Sequence, residues 1–403
     1  MRNPFHSLKY RNFRLYWIGM NLSLIGSWMQ TIALPWIALT LTRDPFKVGL
    51  VSLAQFLPSL LFTLFSGVLL DRFDKLRILL CAQIGMMIIA CIFAFLAWFE
   101  AFSFANIFTL SLINGIFTAF DSPSRQALVR SLIASSSELP NAVALNSISF
   151  NLARITGPAL AGLIMAHFGA KWCFVINAIS FLAVIISLFF VKISEPASKV
   201  SRSNLSPLAL IKQGFSYMLS KKILSEILFI VLILSTFIPN YNITISAFVK
   251  FDLAQGERYF GYLMSILGLG ALCGALCVAS FGNLSLKSIH ICAVLVCVIC
   301  ALAGAVASFA YNATLIALLG FFFVLTNSSM NSTVQMHTSN EFRGRIMSIY
   351  TLFFLGSTPF GALFAGFFTD KFGAKFGFFI SGFCALILLL ILFYLRRNKS
   401  KPT

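Results

Sequence analysis

Four groups of side chains in this 403-residue sequence could do chemistry within otherwise apolar runs: one arginine, a few carboxylates, a scatter of carboxamides and a cysteine pair. Arg154 lies inside such a run, and an arginine at mid-membrane costs at least about 2.5 kcal/mol unless it faces protein or water. It therefore either attracts an anionic group of a ligand or closes a structural ion pair, with Asp121 as the available carboxylate. All twelve acidic residues stand near the ends of apolar runs or between them. Carboxamides are concentrated at Asn21, Gln30, Asn114, Asn240, Asn242, Asn327, Asn331 and Gln335, with Tyr241 among them. Buried amides are expensive in lipid unless they meet a partner or water, so these residues either line a polar solute path or bond helix to helix.

Enzymatic chemistry has little support. Cys297 and Cys300 form a C-x-x-C, but within an uncharged helix, and most of the nine cysteines read as small packing residues. The chain has no Gly-x4-Gly-Lys-Ser/Thr to cradle a nucleotide phosphate, which argues against an ATP-driven pump, and no H-E-x-x-H or Ser/His/Asp arrangement stands out. No cofactor and no metal are expected. His290 and His337 stand near helix ends, where a cap or a lipid headgroup is the ordinary partner.

The elements that must position these groups follow from composition. Hydrophobic residues make up 59% of the chain and charged residues only 10%, against roughly half and a quarter in a soluble domain, so a soluble enzyme, a disordered chain and a disulfide scaffold are excluded. Apolar runs separated by turn and charge signals predict spans near 15–41, 47–70, 77–99, 103–122, 143–166, 172–191, 223–249, 259–281, 288–309, 312–335, 345–369 and 375–395. The basic start leads directly into the first of these, too long an uncharged stretch for a cleavable signal peptide.

The net charge of +18 lies in the short segments between spans, which points to cytoplasmic loops and anionic lipid and not to nucleic acid. With the N-terminus inside, 22 Lys and Arg fall on the cytoplasmic side and seven on the other, so both termini are expected in the cytoplasm. The longest connection, 192–222, divides an N-terminal bundle of residues 1–191 from a C-terminal bundle of residues 223–403. Within it Leu208, Ile211, Phe215 and Met218 recur at helical spacing beside Lys212, Lys221 and Lys222, as in a helix on the membrane face or a solvated linker. The halves also repeat. Gly157, Ala161, Gly162, Phe168-Gly169-Ala170-Lys171 and Phe174 recur 204 residues later as Gly361, Ala365, Gly366, Phe372-Gly373-Ala374-Lys375 and Phe378.

The loop after the second span reads Gly67-Val68-Leu69-Leu70-Asp71-Arg72-Phe73-Asp74-Lys75-Leu76-Arg77. At this point the chain resembles the major facilitator superfamily, whose signature here is glycine, three residues, Asp-Arg/Lys and further basic residues. The resemblance implies a conformational latch made by Gly67, Asp71, Arg72, Lys75 and Arg77, with Asp71 holding the outward-facing state. Asp74 replaces the usual glycine, a variant associated with the bacterial exporter branch that includes enterobactin exporters. The corresponding second-half loop, Gly282 to Lys287, lacks the aspartate. Arg154, Gly157, Pro158 and Gly162 resemble a degraded form of the glycine-proline motif of facilitator antiporters, on the fifth span where that motif belongs. Proline there removes a helical bond and glycine permits close packing. The run Ala119 to Gln126 resembles the same branch, but the antiporter arginine of the fourth span is missing, with Ser111 or Leu112 near its place.

The resemblance implies an all-α integral membrane protein with twelve transmembrane helices in two pseudo-symmetric six-helix bundles. It also implies that spans one, four, seven and ten line a central cavity. Those spans carry the amides named above, and Asp121 and Arg154 join them as expected cavity residues. Trp28, Trp36, Phe237, Phe323 and Phe353 could stack on a bulky ligand or simply pack. The expected function is alternating-access export of a small amphipathic molecule, a siderophore-like metabolite first and a drug second, by a monomer in contact with membrane lipids. Proton antiport comes from the resemblance alone, and Asp121, then Asp370 and Glu226, are the carboxylates that could serve it. A nutrient importer, a membrane sensor and a membrane-embedded enzyme are the rival classes. The importer lacks a deep carboxylate–arginine network, the sensor an output domain, and the enzyme a His/Asp/Glu cluster.

Overall fold

A computed structural model describes residues 6–72, 74–133, 138–191, 207–282, 284–339 and 341–398. After a short 3-10 helix at His6–Lys9, the chain forms α1 (Arg11–Thr42), α2 (Pro45–Arg72), α3 (Lys75–Trp98), α4 (Phe104–Ser131), α5 (Leu139–Phe168) and α6 (Lys171–Phe189). A linker helix, α7 (Pro207–Ser220), precedes α8 (Lys222–Phe237), α9 (Tyr241–Ala247), α10 (Glu257–Phe281), α11 (Leu286–Leu302) and α12 (Phe309–Met336). The chain ends in α13 (Arg343–Gly356), α14 (Thr358–Phe372) and α15 (Ala374–Asn398). Two compact units result, Met1–Thr42 with Ala54–Arg202 and Arg43–Leu53 with Ser203–Thr403.

Eleven segments among the described residues are long and apolar enough to cross a membrane, with Lys222–Asp252 and Arg343–Phe372 each counted as one. The expected span at 288–309 is the exception, because α11 has only 17 residues. At 1.5 Å per residue it is about 25 Å long, near the lower limit for a hydrocarbon core of about 30 Å. It ends where Gly304 turns to φ +82°, and Asn312 fixes that turn by accepting from the Gly304 N–H at 2.7 Å and donating to the Val306 and Ser308 carbonyls at 2.8 Å each.

Two expected continuous spans are interrupted, each beside a proline. Pro239 lacks an N–H and its ring opposes the carbonyl four residues back, so the seventh span stops after Phe237 and restarts at Tyr241. A π-helical turn at Phe248–Asp252 completes it. The eleventh span breaks between Gly356 and Thr358, with Pro359 in the first turn of α14, where its missing N–H costs nothing.

In the first unit, Phe13, Tyr16, Leu79, Leu128, Val184 and Leu188 are fully buried in one core cluster. Without a hydrophobic drive between helices in lipid, close approach depends on small residues. Gly19 of α1 accordingly sits against Ser187 of α6, and Gly26 against Asn177 and Ser180. The second unit uses the same device: Gly270 and Gly274 of α10 meet the backbone of α12 at Ala317 and Phe321, and Gly320 of α12 meets Leu267. Within that unit, Gly49 at the start of α2 also lies on the Ala362 carbonyl of α14. Large side chains such as Phe95, Phe168, Phe189, Ile291 and Tyr394 point outward instead, as a lipid-facing surface requires.

The linker helix packs against protein. Met218 is buried, the Phe215 ring lies 6.1 Å from Phe353, and Tyr217 stacks on Phe342 at 4.2 Å with its hydroxyl accepting from the Ser339 N–H. Lys212, Gln213, Leu219 and Ser220 form its exposed side, while the side chains of Leu208 and Ile211 lie outside the described residues.

Candidate functional site

Amide groups in the second unit form a stripe. Asn327, Asn331 and Gln335 are spaced four apart on α12 and therefore share one face. Asn327 is 5% exposed and its Oδ1 accepts from the Tyr350 hydroxyl at 2.9 Å, which holds it to α13. Asn331 is half-buried and Gln335 exposed, and the Gln335 amide donates to Asn331 Oδ1 at 2.6 Å. The stripe thus runs from a fixed buried end to an open one.

The interruption in the seventh span exposes a second set. Asn240 is buried and its amide donates to the Thr236 carbonyl at 3.0 Å, a carbonyl near the end of α8. Gly361 of α14 lies directly on that carbonyl and amide, so a Cβ there would collide with both. Tyr241 and Asn242, at the start of α9, are half-buried. Asn242 Oδ1 accepts from the Ile243 N–H at 3.0 Å.

In the first unit the polar residues divide by role. Gln30 is buried and accepts from the Asn177 amide at 2.8 Å, a bond that ties α1 to α6. Asn21 donates to the Trp17 carbonyl one turn back at 2.6 Å, and Asn114 is half-buried on α4 with its carbonyl accepting from Thr118. Gly157 of α5 meets the Cβ of Trp28 on α1, while Pro158 and Gly162 are buried on the same helix. Pro158 cannot donate the helical bond to the Arg154 carbonyl four residues back. Arg154 is half-buried and its guanidinium donates to Asn151 Oδ1 at 3.3 Å.

Asp121 has a partner other than Arg154. Its carboxylate is 3% exposed, with Oδ2 2.7 Å from Arg125 Nη2 and Oδ1 accepting from the Gln83 amide of α3 at 2.5 Å. Ser23 of α1 donates to Gln83 Oε1 at 3.5 Å, and the Tyr16 hydroxyl lies 3.4 Å from both the Arg125 carbonyl and Asn146 Oδ1. Four helices therefore meet in one polar cluster. The i,i+4 spacing of Asp121 and Arg125 in α4 could have signalled the pair. Gln83 and Tyr16 gave no comparable signal, because a lone polar residue on a span does not reveal what it faces.

The expected latch is described only in part. The side chains of Gly67, Asp71 and Arg72 lie outside the described residues, although their backbone belongs to α2. Asp74 has a clear local task as the N-cap of α3, its Oδ1 accepting from the N–H groups of Leu76 at 2.8 Å and Arg77 at 3.2 Å. Its replacement of the usual glycine is thus a helix cap. Lys75 is half-buried and Arg77 exposed. At the N-terminus Glu138 Oε1 binds Lys9 Nζ at 2.6 Å and His6 Nε2 at 3.0 Å, while the Ser7 N–H donates to Asn141. The Lys9 ammonium, with help from Tyr10, holds the Glu138 carboxyl down at about 2.

The aromatic residues named beside the amides mostly meet other rings. Trp28 packs on Phe150 at 6.1 Å, Phe237 on Phe364 at 5.1 Å, and Phe353 on Phe229 at 6.3 Å.

Two helical units built from apolar spans, each carrying amides on a few of its helices, are the architecture of a multi-pass membrane protein of the major facilitator fold. The nucleoside transporter NupG shares that fold, with a TM-score of 0.67 at 15% identity over 96% of this chain and 98% of its own. The chain belongs to the family described as transmembrane secretion effector, which matches residues 2–402. It is 25% identical over 385 residues to the staphyloferrin A transporter of Staphylococcus aureus (strain NCTC 8325 / PS 47), covering 94% of each chain. It is 21% identical over 395 residues to macrolide efflux protein A of Streptococcus pyogenes, covering 95% of this chain and 96% of that one. The protein is therefore a membrane transporter of bacterial type with a small-molecule substrate, and not an enzyme.

Proposed function

We propose that this protein exports a small amphipathic organic molecule across the bacterial inner membrane, with both termini in the cytoplasm and twelve spans working as two bundles. The observation that carries the reading is the graded amide stripe Asn327–Asn331–Gln335 on α12, buried at one end and open at the other. Such a face offers donors and acceptors to a neutral polar ligand at modest desolvation cost, and the half-buried Tyr241 and Asn242 add another contact point on the interrupted span. Relatives named for staphyloferrin A and for macrolide efflux support a siderophore-like metabolite or a drug as cargo. Within the first unit Asn21 and Asn114 would offer polar contacts to a substrate, and Arg154 would favour an anionic group on it. Gln30 and Asn240, already committed to α6 and to the end of α8, would shape the path more than touch cargo.

Alternating access requires each half to move without unpacking, and the interruptions at Pro239 and at Ser357 give the seventh and eleventh spans places to bend. Asp121 is the carboxylate best placed to take a coupling proton. Protonation would remove the charge that Arg125 and Gln83 bind and so release a contact joining α3 and α4. The latch made by Gly67, Asp71, Arg72, Lys75 and Arg77 would act on the same side. Export of a radiolabelled macrolide or siderophore from loaded cells tests the reading. Cells expressing the Asn331→Leu/Gln335→Leu variant should retain the probe, and unchanged efflux in that variant would count against it.

A further inference from the structure

In the second unit, a cavity of about 450 Å³ opens between the ends of α8, α11 and α15, apart from the amide stripe. Lys222, His290 and Arg396 supply cationic or donor groups, Glu226 a carboxylate, and Ile223, Leu286 and Phe393 an apolar wall. Arg396, His290 and Glu226 are held in place. Arg396 Nη2 donates to Ser225 Oγ at 2.6 Å, and the His290 ring lies 4.5 Å from Phe393. Glu226, only 7% exposed, is engaged by His290, with Oε1 3.0 Å from Nε2. Lys222 is exposed and Arg396 half-exposed, and both also lie within electrostatic reach of Glu226. The cavity keeps a surplus of positive charge even with His290 neutral.

The surroundings specify what brings the anion. Ile291, Leu390, Tyr394 and Leu395, sequence neighbours of the lining residues, are each more than half exposed, the surface expected beside acyl chains, and tyrosine is a residue favoured where such chains meet headgroups. A cationic cavity at the ends of three spans and beside lipid-facing side chains matches a molecule with an anionic phosphate above an apolar tail. We infer that this cavity binds the phosphate headgroup of an anionic phospholipid, with Lys222 and Arg396 on the phosphate oxygens. Assignment to the cytoplasmic leaflet rests on the orientation proposed above. Binding in detergent does not, so either can fail without the other.

The test is native mass spectrometry of the full-length protein in detergent with phosphatidylglycerol or phosphatidylcholine of equal chain length. The wild type should retain phosphatidylglycerol about tenfold better, as two cations near a headgroup allow. Lys222→Gln/Arg396→Gln should bring the two lipids to parity, while Lys212→Gln on the exposed side of α7 should leave the preference intact. If the double variant does not fold, Lys222→Gln alone, at an exposed position, should still lower the preference several-fold. Parity in the wild type, or full preference in the folded charge variants, would overturn the inference. So would displacement of bound phosphatidylglycerol by millimolar glycerol phosphate or inorganic phosphate, since the site would then take free phosphate and not lipid.

Discussion

Gly169 and Gly373, 204 residues apart, close α5 and α14 with nearly the same backbone: φ 91° and ψ 159° at the first, φ 87° and ψ 164° at the second. Each donates its N–H to the carbonyl four residues back, Met165 at 3.2 Å and Thr369 at 3.0 Å. Any residue with a Cβ is strained in this region, so both halves require glycine at the same point. Gly169→Ala and Gly373→Ala should each lower stability by about 1–3 kcal/mol. Melting temperatures in detergent check this, and a large loss at one site with none at the other would contradict equivalent roles.

The Asp121–Arg125 pair should matter more as a unit than as two residues. Removing one partner leaves a buried charge unpaired, at about 3–5 kcal/mol, while replacing both can be nearly neutral. Asp121→Asn and Arg125→Gln should therefore each destabilise strongly, and the double variant less than the sum. Additive losses in thermal unfolding would show that the two side chains act separately.

The N-terminal clamp gives a pH expectation with a definite sign. The folded Glu138 carboxyl titrates at about 2, below its ordinary 4.5. Its contribution is therefore complete above about 4.5 and is lost as pH falls through about 2. A spin label on Arg11→Cys should report unchanged mobility from pH 7 down to about pH 4.5 and release only below it. In Glu138→Gln the segment should already be loose at neutral pH. Release of the wild-type segment near pH 6 would contradict the assignment.

Arg154 should sort substrates by charge. Arg154→Gln should impair efflux of an anionic probe by about tenfold, as expected from one lost charge contact, and leave a neutral probe near wild type. Equal loss for both probes in a folded variant would remove Arg154 from substrate contact.

Much of the architecture is legible in the sequence because lipid imposes one strong constraint: a backbone that crosses it must be helical and apolar. Span positions follow from it, whereas the 204-residue repeat shows in recurring residues such as Gly169 and Gly373 and the linker helix in the spacing of Phe215 and Met218. The interruption after Phe237 was also written in the sequence, at Pro239, but hydropathy alone does not distinguish a bent span from a straight one. Asp74 looked like a departure from a signature, whereas its side chain caps α3. The partners of buried polar groups were least legible. Arg125, not Arg154, meets Asp121, and Gln30 is taken up by Asn177, because those choices depend on helix rotation that no periodicity fixes to within one residue.

The most direct test is uptake of a radiolabelled macrolide or siderophore into everted membrane vesicles, in which an exporter moves substrate inward. Proton-coupled export predicts accumulation in wild-type vesicles that collapses when the pH gradient is dissipated, and little accumulation with Asn331→Leu/Gln335→Leu. Accumulation only in right-side-out vesicles, or flux unaltered by these substitutions, would contradict it.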